Sequence, residues 1–482
     1  MKRRSLLLSS IAVWGQKKFT DPAPPKVAAV SGAKAAAKAN AEVTRHKKPA
    51  ALRKDAVTED WASFLGPRHN GVSRETRLNK RFPSSGPPLV WEMTKGTGYA
   101  SPAIAGDQLV FLYRRGNQEV VDCLHPETGD RYWQHTYSTS FEDRYGYNNG
   151  PRSSPVIDGD RVYVVGAEGV LHCLHLASGQ VLWRRQLRDE FKVPQDFFGV
   201  ASTPLVEGEV LIVNVGAPGG PCVIGLDKRT GQMRWGAGAE WGGSYASPIP
   251  AVIHGKRRVF VFAGGESQPP TGGLIMLDPV TGAVDFTFPW RSKSYESVNA
   301  SCPVIVDNYV FISASYRTGG AMLEITPDFK HKVVWTAPEF GLHFNTPIHK
   351  DGYLYGFDGR NEPDASLACV EVKTGKVAWR TSLEWKEVFQ AGGQQREQMM
   401  SLYRGNLLQV DGRYLVLGEL GHLMWMELTP AGFKEGSRAW LFAARETWSL
   451  PVLSRGLLYV VQHSKDVLQN KSPRLLCYDL RE

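Results

Sequence analysis

The sequence predicts an all-β fold, an eight-bladed β-propeller built of four-stranded antiparallel blades. Three observations carry this. A Ser-Pro or Thr-Pro pair, or its Pro alone, opens an apolar run at Pro102, Pro155, Pro204, Pro248, Pro303, Pro347 and Pro451. The gap from Pro347 to Pro451 is 104 residues, twice the usual step, and a degenerate copy without Pro lies inside it at Leu408-Gln409-Val410-Asp411-Gly412. Most copies end in a Leu-x-x-x-x-Gly-x-x-x-Trp pattern. Eight copies at a period of about 50 residues, each holding short strands, are the signature of propeller blades.

The copy at Ser154-Pro155 shows how each element is read. Ser-Pro opens the innermost strand, where Pro can forgo a ladder hydrogen bond. Asp158-Gly159-Asp160 is a hairpin turn into a second strand, Arg161 to Val165. Val170 to Leu174 is the third strand. The Gly of Ala177-Ser178-Gly179 supplies the positive φ of the next tight turn, which leads to a fourth strand ending at Trp183. Its aromatic counterparts are Trp133, Trp235, Phe286, Trp335, Trp379 and Trp440, one wedge between neighbouring sheets per blade. The last copy stops at Leu476-Cys477-Tyr478-Asp479-Leu480 without such a residue, and Leu89-Val90-Trp91-Glu92 lies unused before the first copy. The N-terminal strand near Trp91 is therefore expected to close the ring, which removes two exposed blade faces.

Cys123, Cys173, Cys369 and Cys477 share one slot in four copies, so they are expected as buried strand residues rather than a disulfide framework. Residues 1–54 hold 13 Lys or Arg against 2 Asp or Glu, leaving 44 basic and 46 acidic residues in the rest. The net charge of +9 thus belongs to the N-terminal segment and gives no evidence for a nucleic-acid-binding face. Residues 1–15 pair Lys2-Arg3-Arg4 with a short apolar stretch and read as a secretory signal. Residues 16–54 are rich in Ala, Lys and Pro and read as a disordered basic linker. The propeller is expected over residues 60–482. No stretch approaches 18 consecutive apolar residues, so no transmembrane span is expected.

The repeats resemble the pyrroloquinoline-quinone (PQQ) type propeller repeat. The carrying segments are Asp60-Trp61 with Gly66-Pro67, Gly71-Val72-Ser73 and Glu75-Thr76; Gly98-Tyr99-Ala100-Ser101-Pro102; Asn149-Gly150-Pro151-Arg152-Ser153-Ser154-Pro155; Tyr353-Leu354-Tyr355-Gly356-Phe357-Asp358; and Thr447-Trp448-Ser449-Leu450-Pro451. That repeat occurs in quinoprotein alcohol dehydrogenases, in the BamB propeller of outer-membrane barrel assembly, and in secreted PQQ-like proteins of planctomycete type. The resemblance implies the fold. It implies two functions: a binding scaffold, or a PQQ- and Ca²⁺-dependent alcohol or sugar dehydrogenase.

Chemistry is expected in the segments that enter the innermost strands, which line one mouth of the channel. The candidates are Tyr99, Tyr147, Asn149, Arg152, Phe198, Trp241, Tyr245, Glu296, Asn299, His343, Asn345, Arg396, Glu397 and Trp448. They are aromatic or polar where the strands are apolar. Two readings stay open for each: ligand contact, or bracing of loop backbone. Arg152 can grip a carboxylate with its planar fork, or pair with a channel acid such as Glu296 or Glu397. Glu296 with Asn299 could imitate Ca²⁺ ligation, and Trp241 or Trp448 a quinone floor. Against the enzyme stand the absence of an adjacent Cys pair and of a Cys-x-x-Cys-His haem motif. The expectation is therefore a non-catalytic, exported, monomeric propeller that binds a protein, peptide or glycan of the cell envelope. No cofactor, metal or nucleic acid is assigned to it, and PQQ with calcium is the alternative.

Overall fold

In the computed structural model, residues 18–360 and 364–482 are described, so the signal-like segment 1–15 lies outside the described residues. Seven blades take their four strands consecutively from the chain. Blade 1 runs Ala103–Ala105, Gln108–Arg115, Gln118–Leu124 and Arg131–Ser138, and blade 2 runs Val156–Asp158 to Val181–Gln186. Blades 3 to 6 open at Leu205–Glu207, Ile249–Ile253, Val304–Val306 and Ile348–Lys350. Blade 7, the degenerate copy, opens at Asn406–Val410. Blade 8 joins Val452–Ser454, Leu457–Val461 and Arg474–Asp479 to Leu89–Thr94, with Trp91 opposite Cys477. The ring closes as the sequence predicts.

The repeat residues have physical roles. In blades 1, 2, 3, 5, 6 and 8 the outer Trp indole donates to a turn carbonyl of the following blade, from Trp91 to Pro126 at 2.8 Å through Trp379 to Thr429 at 2.7 Å. The turn Gly leaves room for this: a Cβ on Gly179 would come within 2.6 Å of the Trp133 ring. The shared Cys slot sits directly opposite the Trp, as in Cys123 with Trp133 and Cys369 with Trp379. All six cysteines are free and buried.

The Ser or Thr before Pro has a second role. Its side chain accepts the N–H of the equivalent residue one blade back: Ser101 to Ser154, Ser154 to Thr203, Thr203 to Ser247, Ser247 to the Cys302 sulfur, and Cys302 to Thr346. These bonds staple the inner strands of blades 1 to 6 to one another in series.

Two expectations are corrected. Trp440 is not a wedge. It stacks on His422 of its own blade, with centroids 4.8 Å apart, and donates to Leu420. The slot beside the strand bulge, which holds the Trp in other blades, is taken here by Arg438 opposite Met424, and Trp440 lies two residues beyond it, opposite His422. The linker is also ordered over its described part, residues 18–54. It runs along the outer edges of blades 3, 2, 1 and 8 as a strap. Val43–Arg45 adds a fifth strand to blade 8 against Trp91 to Met93, and Lys38 bridges Arg131 in blade 1. Asp21 takes 2.5 and 3.2 Å bonds from Arg185, whose side chain is wholly buried in blade 2. Backbone pairing and ion pairs order this segment. Composition arguments count apolar burial and miss both.

Residues 59–75 then cross one end of the channel. Trp61 exchanges backbone hydrogen bonds with Ile104 of blade 1, Ala62 accepts from Ile157 of blade 2, and Gly71 and Ser73 bond Gln409 of blade 7. The Glu75 carboxylate takes the N–H groups of Arg455 and Gly456 in blade 8. Phe64 caps the channel between them, leaving a blind cavity that opens at the other end.

Candidate functional site

The cavity holds about 220 Å³. Its walls come from two loop classes on the mouth face. Loops entering the innermost strands bring Tyr99, Tyr147, Arg152, Phe198, Tyr245, His343, Phe344, Arg404 and Trp448. Loops between second and third strands bring Tyr316 and Arg360. Thr203 and Ser247, two members of the staple series, complete the lining.

Seven of the fourteen candidates meet here: Tyr99, Tyr147, Arg152, Phe198, Tyr245, His343 and Trp448. Tyr99 stacks on Trp448 with centroids 5.3 Å apart and donates to the Glu446 carboxyl at 2.5 Å. Burial, then the hydrogen bond and nearby carboxylates, sets the balance at Glu446, and its pKa rises above the usual carboxylate range. Arg152 pairs with Asp143 at 2.6 Å, a partner nine residues earlier rather than Glu296 or Glu397. Its guanidinium lies over Tyr99 at 5.3 Å and Phe198 at 5.5 Å. Arg404 pairs with the buried Glu419 and lies 5.0 Å over Trp448, whose indole donates to the same carboxylate at 2.7 Å. Burial, with the Arg404 and Arg360 charges, pushes His343 down to about 3, so its ring is neutral.

The other seven candidates lie elsewhere. Asn149, Asn299 and Asn345 brace backbone: Asn149 accepts the Asp143 N–H, Asn299 donates to Ala263 and Trp290, and Asn345 donates to Gly405. Trp241 packs on the blade 3–4 core. The Glu296 side chain is exposed, and only its carbonyl is engaged, by the Tyr316 hydroxyl. Arg396 and Glu397 are corrected as mouth residues. They sit on an exposed hairpin, Trp385–Ala391 with Gln394–Met400, where Glu397 pairs with Lys386. The hairpin is inserted before blade 7 and displaced the count. Arg404, just ahead of Asn406–Val410, occupies the position that Arg396 was expected to fill. Tyr316 and Arg360 escape sequence reasoning because they lie in loops after the second strand, which no repeat residue marks.

An aromatic ledge continues outward from the cavity. Tyr145, Tyr147 and Tyr295 are 47%, 49% and 40% exposed. They meet Phe197 and Phe198 at 5.3–6.1 Å, centroid to centroid.

The sequence profile described as outer membrane protein assembly factor BamB matches residues 116–381, more than half of the chain. The chain belongs to this BamB family. BamB from Moraxella catarrhalis is 16% identical, covering 82% of this chain and 98% of that one, with a TM-score of 0.53. The quinohemoprotein alcohol dehydrogenase from Comamonas testosteroni is 14% identical over 87% of this chain and 80% of its own, TM-score 0.61. A europium-containing methanol dehydrogenase is 10% identical over 87% and 98%, TM-score 0.62. At these identities the structural likenesses establish the fold alone. No curated protein matches the chain by sequence.

The residues do not fit a Ca²⁺-assisted quinone. The Asn299 amide oxygen has no hydrogen-bond partner, but Asn299 does not line the cavity, and Glu296, its supposed co-ligand, points to solvent. The carboxylates beside the cavity are each held by Arg152, Arg404 or Tyr99. Among the described residues, no group of three His, Cys, Asp or Glu is disposed to hold a metal. Trp448 could serve as a floor, but among the described residues no carboxylate lines the cavity beside it.

Proposed function

We propose that this member of the BamB family is a binding propeller of the cell envelope. It holds a partner, foremost a protein or peptide segment, at the mouth and catalyses no reaction of its own. The observation that carries this reading is the exposed Tyr145–Tyr147–Tyr295 ledge running into a blind cavity. Exposed tyrosines held against Phe197 and Phe198 give contact area at low entropic cost, which is what a docking surface needs. A neutral glycan is a poorer partner, because it brings no charge to meet the arginines of the cavity wall. An envelope location is supported by the signal-like residues 1–15 and by the assembly role in the family's name. No helix of the described residues is long and apolar enough to cross a membrane.

The test places a photocrosslinking residue in the full chain at Tyr295, on the ledge, or at Val280, an exposed turn residue of blade 4. Adducts with envelope proteins or peptides are expected from position 295 and not from 280. Equal yields would sink the reading. A redox-dye assay of the full chain with PQQ, Ca²⁺ and primary alcohols addresses the alternative. Turnover above a protein-free blank would restore the dehydrogenase.

A further inference from the structure

We infer that the cavity is a metal-free receptor for an oxyanion carried on a planar, apolar body. This rests on the binding reading above and names the chemistry that the site recognises.

The first observation is an excess of donors. The hydroxyls of Thr203, Ser247 and Tyr245 each accept a backbone N–H, at 3.0 Å in every case. Each keeps its own hydrogen to donate into the cavity. Arg360 lies 4.2 Å over the Tyr316 ring, and among the described residues it has no carboxylate partner. No described lining residue is acidic. The carboxylates behind the wall are Asp143, Glu419 and Glu446, held by Arg152, Arg404 and Tyr99 in turn.

The second observation is an unpartnered polar atom. The Nδ1 of His343 is buried in the wall without a hydrogen-bond partner. A buried polar atom left unpaired is unfavourable, and a ligand atom can satisfy it. The third is backbone strain. Tyr316, Tyr403 and Glu446, in or beside the wall, hold φ values of 58°, 51° and 60°. Such conformations in non-glycine residues persist where surrounding structure enforces them, and they cluster at binding sites.

A neutral alcohol or sugar can pair with the hydroxyls and the His343 ring but brings no charge to meet the Arg360 guanidinium. A carboxylate or phosphate brings acceptors alone, which match the guanidinium fork and the hydroxyls. The faces of Trp448, Phe344 and Phe198 set the shape of the remainder, a flat apolar body.

The test uses the full chain and its tryptophan fluorescence, with 2-naphthoate against neutral 2-naphthamide, in EDTA and again in Ca²⁺. A second arm compares a peptide with a free C-terminal carboxylate and its amidated twin, to separate a small-molecule source from the end of a chain. The acid of at least one pair should bind about tenfold or more tighter than its neutral twin, equally with and without Ca²⁺. Arg360→Gln should reduce that preference about tenfold with an unchanged melting temperature, and Arg360→Lys should restore part of it. Equal binding of acid and neutral twin, a requirement for Ca²⁺, indifference to Arg360→Gln, or no binding by any probe at millimolar concentration would each overturn the inference. Position-295 crosslinks that persist alongside such a result leave the docking reading intact and remove only its chemistry. Loss of both removes the reading itself.

Discussion

The outer rim and the mouth of this ring are built on opposite principles. On the rim, six blades repeat one joint: a Trp indole reaches a turn carbonyl of the next blade above a glycine. Blade 4 substitutes Phe286, which packs on His331 at 4.7 Å. At the mouth no two blades contribute the same set. Blade 2 is entered through Arg152, blade 7 through Arg404, blade 6 through His343 and Phe344, and blade 8 through Trp448. Repetition therefore encodes the fold, and departures from it mark the mouth that is proposed as the binding site.

That contrast can be broken most severely at the rim. Trp183→Ala removes a fully buried ring and one of the two hydrogen bonds on the Lys228 carbonyl, so unfolding free energy should fall by about 3–5 kcal/mol in a denaturant titration. Trp440→Ala, which leaves the inter-blade joints intact, should lose clearly less. Equal losses would mean that the joint is no special element.

The strap comes next. Asp21→Ala leaves the buried Arg185 with Glu190 as its one carboxylate partner. Stability should fall by about 2–3 kcal/mol, measured in the same titration at low salt. No change would return residues 18–54 to the linker that their composition suggests.

A mouth substitution should do the reverse. Tyr147→Ala, at a half-exposed ring, should alter stability by no more than about 0.5 kcal/mol while weakening ligand binding about tenfold. A large stability loss would make the ledge structural.

The smallest expected effect is one of pH. Burial first, then the Glu266 charge, pushes Asp196 beside the ledge up to about 7. A raised folded-state pKa gives stability that is full below the ordinary carboxyl value near 3.8 and lost as pH rises through 7. Asp196→Asn should flatten the fall in melting temperature between pH 4 and 8. Partial exposure of the site holds the effect to the order of 1 kcal/mol. An unchanged slope would show that Asp196 ionises normally.

The repeat made the blades, their number and the closure at Trp91 legible, because spacing reports strand order directly. It also reported the Ser-Pro pairs, although the staple that their hydroxyls make became visible only in three dimensions. The site was half legible. Residues within a fixed distance of a Ser-Pro, such as Tyr99, Arg152 and Trp448, were found. Arg404 was hidden by the hairpin inserted ahead of it, and Arg360 and Tyr316 lie in loops that follow the second strand, where no repeat residue marks them. Asn299 and Asn345 show the converse error: polar residues in the right segments whose side chains stay outside the cavity and donate to backbone. The strap depends on pairings such as Asp21 with Arg185, 164 residues apart, which no local pattern can report.

Hydrogen exchange of the full chain, with and without saturating 2-naphthoate, tests the division between rim and mouth most directly. New protection should fall on the segments around Tyr99–Ser101, Tyr316, His343–Phe344 and Arg404, with the outer strands and residues 18–54 unchanged. Protection on the strap or the outer strands, with none at the mouth, would contradict the account.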